Sequence, residues 1–217
     1  MTLIEKLRCL FTFGQGVALP LPEIDENIDP MDLFKLWFEE ANKSGILLPE
    51  AMSVSSCTAE GKPSSRMVLL KEFNQDGFIF YTNYGSRKSQ ELTENQHVAL
   101  LFHWNVLQRQ IRIEGTVERT SLEQSAQYFH SRDRGSQIGA LASKQSQKIQ
   151  HDKELAQRVK YFEGKYPTGQ VAHPKFWGGY RIKPTYIEFW QGRASRLHDR
   201  LCFEKQGESW EHFKLHP

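Results

Sequence analysis

The apolar residues change their spacing along the chain. Between residues 30 and 43, Leu33, Leu36 and Trp37 recur at the spacing of one helix face. Asp29 is a candidate N-cap, Pro30 suits the first helical position and Asp32 loads the first turn. The pattern predicts a helix to about Lys43, ended by Gly45. From residue 51 the texture is that of strands. AMSVSSCT, the turn AEGKP and SSRMVLLK read as a hairpin, and Asn74 to Gly77 mark a turn before GFIFYTN. HVALLFHW and RQIRIEGTVER follow, rich in β-branched and aromatic residues. Before them, SRKSQELTEN is a short helix with Ser86 as candidate N-cap. SLEQSAQYFHSR opens on Ser121 with Gln124 three positions on, a capping-box pattern. HDKELAQRVKYFEGKY is a second helix, and DRGSQIGALASKQSQKIQ between them is a polar stretch. Strands return in GGYRIKPTYIEFWQG, LHDRLCFEK and SWEHFKL.

Short antiparallel strands interrupted by four or so helices do not alternate as a doubly wound sheet requires. They predict a mainly β fold, a small antiparallel barrel with helices outside. Residues 1–29, with three prolines in LPLPEIDENIDP, read as an extended N-terminal arm, and 30–217 as a single domain.

Composition removes several classes. Of 217 residues, 25% are charged and 39% hydrophobic, which excludes a disordered tail or a collagen-like fibre. No apolar run approaches the roughly 20 residues of a membrane span, and MTLIEKLRCLFTFGQG has no long apolar core, so neither a membrane partner nor a signal peptide is expected. Net charge is +2, which does not favour nucleic acid. Cys9, Cys57 and Cys202 are odd in number and far apart, without C-x-x-C, as in a reducing, cytoplasmic setting. No metal-ligand spacing is present. Neither G-x-x-x-x-G-K-[ST], H-E-x-x-H nor G-x-S-x-G occurs.

What stands out is cations at strand ends and helix starts. Arg66 and Lys71 bracket a strand, Arg87 and Lys88 open a helix, Arg132 and Arg134 follow another, and Arg196 and Arg200 flank His198. Cations in a first helical turn oppose the macrodipole, so Arg87 and Lys88 call for an anion at that N-terminus, and phosphate suits it.

The motifs RMVLLK (66–71), FYTNYGSRK (80–88), RQIRIEG (109–115), YFHSR (128–132), SQIGA (136–140), SKQS (143–146), FWGGYRI (176–182), IEFWQG and RLHDR (187–200) carry a family resemblance. Over residues 50–204 the chain resembles the pyridoxine (pyridoxamine) 5′-phosphate oxidases. The resemblance implies a six-stranded antiparallel Greek-key split barrel that binds FMN, with peripheral helices, as a homodimer with FMN at the subunit interface. It assigns Arg66, Met67, Val68, Leu69, Tyr81, Thr82, Arg87, Lys88, Gln110, Gln145, Ser146, Trp190 and Arg200 to FMN. Lys71, Tyr128, Arg132 and Ser136 are implied around the substrate phosphate. Arg196 and His198 are implied at the reacting end, as catalytic and substrate-binding residues. In an extended strand these two would share one face.

The implied reaction moves a hydride from pyridoxine 5′-phosphate or pyridoxamine 5′-phosphate to the flavin, and O2 reoxidises it with release of hydrogen peroxide. The chain departs from the family's habit at two places. Residues 1–29 lack a basic, Tyr-containing lid segment, and Lys214-Leu215-His216-Pro217 stands where R-L-x-P is frequent. The arm LPLPEIDENIDPM resembles the phenazine-pathway flavin oxidases, so an oxidase acting on another ring is the alternative. Lys71, Arg132 and Arg196 favour the vitamin B6 reading.

Overall fold

The computed structural model describes residues 28–217. The predicted arm, all but Ile28 and Asp29, lies outside the described residues, as do Cys9 and the predicted absence of a leader. Helix α1 (Pro30–Lys43) begins as its sequence requires, with the Asp29 carboxylate accepting the Met31 N–H at 2.7 Å. Gly45 follows with φ 80°, a conformation that glycine adopts freely. The buried stripe is Leu33, Phe34, Trp37 and Ala41, whereas Leu36 faces solvent.

Nine strand segments follow in order, with four helices among them: β1 (Ala51–Cys57), β2 (Pro63–Leu69), β3 (Glu72–Asn74), β4 (Gly77–Asn83), α2 (Arg87–Glu94), β5 (His97–Trp104), β6 (Arg109–Arg119), α3 (Leu122–Ser131), α4 (Arg134–Ala142), α5 (Glu154–Lys165), β7 (Trp177–Gln191), β8 (Asp199–Gln206) and β9 (Ser209–Lys214). All pairings are antiparallel, in the order β2-β1-β5-β6-β7-β4-β3. β2 runs into β3 through Leu70 and Lys71. Leu70 N–H donates to Glu50 and Lys71 N–H to Ile79, so one bent stave leaves β1 and joins β4. The sheet therefore curls into a barrel of six staves, and β8–β9 is a hairpin outside the ring.

β7 makes this possible. From Tyr180 to Gln191 it pairs with β6, but on its other edge Trp177–Ile182 pairs with β4 and Tyr186–Gln191 with β8. The change of partner falls at Lys183-Pro184-Thr185, where proline withholds an N–H from the ladder. A bulge lies beside it, between Glu114 and Gly115 of β6. A Cβ on Gly115 would sit 2.1 Å from the Lys183 carbonyl oxygen, so only glycine permits this approach. The core fills the barrel. From α1, Phe34 meets Phe78 and Phe102 edge-on at 4.8 and 5.3 Å, and Trp37 meets Phe189 at 5.2 Å.

Two local expectations are corrected. The polar stretch after residue 132 contains helix α4. Asp133 caps it by accepting the Ser136 N–H at 2.8 Å, and Ile138 and Leu141 are buried with Phe129 and Trp177 in a second cluster. Burial and the cap outweigh the low helix propensity of Gly135 and Gly139. Second, RLHDR is not a continuous strand. Residues 194–196 form a 3₁₀ turn, Ser195 and Arg196 have φ of 58° and 62°, and β8 begins only at Asp199. The shared strand face inferred for Arg196 and His198 does not exist.

Candidate active site

A cavity of about 1100 Å³ opens between β2, β4, the N-terminus of α2 and the α3–α4 corner. Fourteen sequence-nominated residues line it: Arg66, Met67, Val68, Leu69, Lys71, Tyr81, Thr82, Arg87, Lys88, Tyr128, Arg132, Ser136, Gln145 and Ser146.

At one end lies the start of α2. Ser86 is its N-cap by position, but its hydroxyl pairs with Ser89 Oγ and caps no N–H. The Lys88 side chain is buried, with Nζ 2.9 Å from Thr82 Oγ1 and 3.0 Å from Gln145 Oε1. Among the described residues no carboxylate pairs with it. Burial, and then the nearby Arg66 charge, pull its ammonium down to about 8.

Arg66 and Arg87 are held differently. Arg66 donates to Ser56, Ser64 and the Val54 carbonyl, and Arg66 Nη2 lies 3.1 Å from Glu91 Oε2. Arg87 Nε reaches Glu91 Oε1 at 2.8 Å. The Glu91 carboxylate also accepts the Ser56 and Ser64 hydroxyls at 2.6 Å each. Burial alone would raise its pKa, but these hydrogen bonds bring it down to about 2. Glu91 thus locks two arginines and leaves Lys88 without an acid.

The other end is aromatic and cationic. Tyr128 from α3 stacks on Tyr81 from β4, and Trp177 continues the stack 5.6 Å from Tyr81. Arg132 lies over Trp177 at 4.8 Å. Among the described residues its buried Nη1 has no hydrogen-bond partner, and burial lowers its pKa against the opposing pull of Tyr128 and Asp133. Tyr81 donates to Glu72 at 2.8 Å, and burial together with that bond pushes its phenol well above the usual range. Tyr128, Arg132 and Ser136 converge because α3 stops at Ser131, Arg132 is extended and α4 begins at Arg134.

The remaining five nominated residues lie apart from this cavity. Gln110, Trp190 and Arg200 form one row across β6, β7 and β8. His198 packs on Trp190 at 4.5 Å, and Arg196 sits in the adjoining 3₁₀ turn. Arg200 is clamped by Glu188 through bonds of 2.7 and 3.0 Å. Of the residues that sequence reasoning missed, two govern the stacking and the charge of the site. Trp177 lies in the quoted FWGG motif, and Glu91 stands four residues after Arg87, a spacing that places opposite charges together on a helix.

Residues 38–166 match the family profile described as pyridoxamine 5′-phosphate oxidase, and 177–217 match the pyridoxine 5′-phosphate oxidase C-terminal dimerisation region. The chain belongs to the pyridoxamine 5′-phosphate oxidase family. It is 70% identical to a pyridoxine/pyridoxamine 5′-phosphate oxidase of Colwellia psychrerythraea and 54% identical to one of Psychromonas ingrahamii, each over 100% of both chains. Among solved structures it resembles PhzG of Burkholderia lata in complex with tetrahydrophenazine-1-carboxylic acid. There the TM-score is 0.87 and the identity 27%, over 93% of this chain and 100% of that one. A pyridoxamine 5′-phosphate oxidase-related, FMN-binding protein of Nostoc punctiforme shares the fold, with a TM-score of 0.71 at 11% identity over 88% of this chain and 100% of that one. The split barrel expected from the motifs is the fold of these family members.

Proposed function

We propose that this member of the family oxidises pyridoxine 5′-phosphate and pyridoxamine 5′-phosphate to pyridoxal 5′-phosphate with FMN, at a site completed by a second subunit. The observation that carries this reading is a pair of unanswered cations at the two ends of one cavity. Among the described residues, Lys88 is buried without a carboxylate and Arg132 keeps a buried Nη1 without a partner. Both conditions are costly unless an anion binds. Two anion sites fit a phosphorylated cofactor and a phosphorylated substrate side by side. The identity of 70% to a pyridoxine/pyridoxamine 5′-phosphate oxidase outweighs the 27% likeness to PhzG, so a vitamin B6 phosphate is favoured over a phenazine ring.

Lys88, Arg66 and Arg87, with the first-turn N–H groups of α2, hold the FMN phosphate in this reading. Met67 to Leu69, Thr82, Gln145 and Ser146 line the flavin. FMN, when bound, supplies a two-electron acceptor that O2 can reoxidise with release of hydrogen peroxide. Lys71, Tyr128, Arg132 and Ser136 bind the substrate phosphate and hold the ring at a constant distance from the reacting end. Tyr81, Tyr128 and Trp177 exclude water from one wall.

The chain forms a homodimer, in keeping with its C-terminal dimerisation region. The row Gln110, Trp190 and Arg200, with Arg196 and His198, reaches the partner's cavity in this reading. Support comes from the row lying on β6–β8, with the Arg196–His198 loop beside it at Trp190, and from all five lying away from the cavity of their own chain. We also propose that residues 30–217 are one domain, since β7 is common to the barrel and to the β8–β9 hairpin, and that the protein is cytoplasmic. Among the described residues no helix is long and apolar enough to cross a membrane.

The test is an oxidase assay on purified protein. FMN should copurify, and pyridoxine 5′-phosphate should yield the aldehyde and peroxide in equal amounts. A colourless protein that gains no activity with added FMN overturns the proposal.

A further inference from the structure

The bend that breaks RLHDR decides what His198 can do chemically. The Arg193 backbone N–H donates to His198 Nδ1 at 3.1 Å, while Arg193 Nε holds Asp199 Oδ2 at 2.6 Å. The pair therefore ties both ends of a loop that begins at Arg193 and ends where β8 starts. Within that loop Ser195 and Arg196 occupy left-handed conformations, which side chains with a Cβ adopt only under constraint. The imidazole is thereby fixed against Trp190.

A backbone amide can only donate. Its partner nitrogen must therefore present a lone pair, and the single proton of the neutral ring must sit on the other nitrogen. An imidazolium carries N–H on both nitrogens and cannot accept the Arg193 bond. Among the described residues Nε2 has no hydrogen-bond partner.

We infer that His198 acts in the reaction as a hydrogen-bond donor through Nε2–H, its tautomer set by the Arg193 amide, and not as the base that takes a substrate proton. This rests on the reading that His198 meets the substrate. The group it contacts is an electron-rich oxygen or nitrogen of the substrate ring or the flavin, and any proton lost by the substrate goes elsewhere. The constraint is a property of the loop, since the donor is a main-chain group that among substitutions at residue 193 only proline removes.

Two measurements decide it. In 15N-histidine-labelled holoenzyme, long-range 1H–15N correlation should show His198 with a bare Nδ1 and a protonated Nε2, the signals being assigned by their loss in His198→Gln. A protonated Nδ1 overturns the inference whatever the activity. Steady-state kinetics at saturating FMN supply the second arm. Gln places an amide N–H near the Nε2 position and Asn does not. His198→Gln should keep kcat within about tenfold of wild type, while His198→Asn and His198→Ala lose about a hundredfold, the order of one strong hydrogen bond. Equal losses in all three variants overturn the donor role. Unchanged kcat and KM in His198→Ala would overturn the placement of His198 at the reacting end while leaving the tautomer result standing.

Discussion

Tyr81 and Tyr128 lie face to face, with ring centroids 3.9 Å apart and planes 16° from parallel. One ring comes from a barrel strand and the other from a helix that follows nearly fifty residues later. Trp177 lies within 10° of the Tyr81 plane and supports the Arg132 guanidinium. A Cβ on Gly179 would approach Tyr81 Cε1 to 2.8 Å, so the second glycine of FWGG makes room for the stack. The stack delivers a half-buried cation to the cavity wall, and among the described residues no ion pair holds it there.

Arg132→Met should therefore separate function from stability. Loss of a charge-assisted bond to the substrate phosphate costs about 1.5–3 kcal/mol, a ten- to hundredfold rise in KM with little change in kcat. The same substitution removes a desolvated guanidinium with an unpartnered Nη1, so Tm of the substrate-free protein should hold or rise. A fall of several degrees would mean that Arg132 is structural.

FMN affinity should depend on the Lys88 proton. Burial lowers this ammonium to about 8 in the free protein, and a bound phosphate raises it again. Binding is then coupled to proton uptake. Affinity is full below pH 8 and falls as pH rises through 8 towards the pKa in the complex, by up to about tenfold per pH unit. Fluorescence titration of the apoprotein between pH 6.5 and 9.5 tests this, and Lys88→Met should bind weakly with no such slope.

Glu91 has the opposite sign. Its folded pKa of about 2 lies below the roughly 4.3 of an exposed glutamate. The stability it contributes, on the order of 3 kcal/mol, is complete above pH 4.3 and is lost as pH falls through 2. Urea unfolding of wild type and Glu91→Gln at pH 7, 4 and 2.5 should show a gap that narrows with acid. FMN retention at pH 7 should also drop in the variant, because Arg66 and Arg87 lose their common partner.

A site built from two subunits predicts complementation. Lys88→Ala and Arg196→Ala homodimers should each be nearly inactive. Mixed by coexpression, half of the dimers carry both lesions in one site and an intact second site, so activity should recover to about a quarter of wild type. If each site used only its own chain, the mixture would stay as inactive as either parent.

Much of the local structure was legible in the residues themselves. The strands GFIFYTN, HVALLFHW and RQIRIEGTVER lie where their composition predicted them, and the Asp29 and Ser121 side chains make the caps expected of them. Caps and strand-forming runs depend on neighbours in sequence, so the sequence determines them. Helix α4 was not legible, because its stability comes from burying Ile138 and Leu141 against Phe129 and Trp177 and not from its own propensities. The motifs likewise named the cavity residues one by one but not their charge states. Glu91 meets Ser56, Ser64 and Arg66 from 25 to 35 residues away, and that convergence leaves Lys88 without an acid at the α2 end of the cavity. The clearest difference lies in RLHDR. Alternation placed Arg196 and His198 on one strand face, yet the chain turns through two left-handed residues there. Which way a side chain points past such a turn depends on what the loop is tied to, here the Arg193–Asp199 pair and the amide on His198 Nδ1, and only the folded structure brings those groups together.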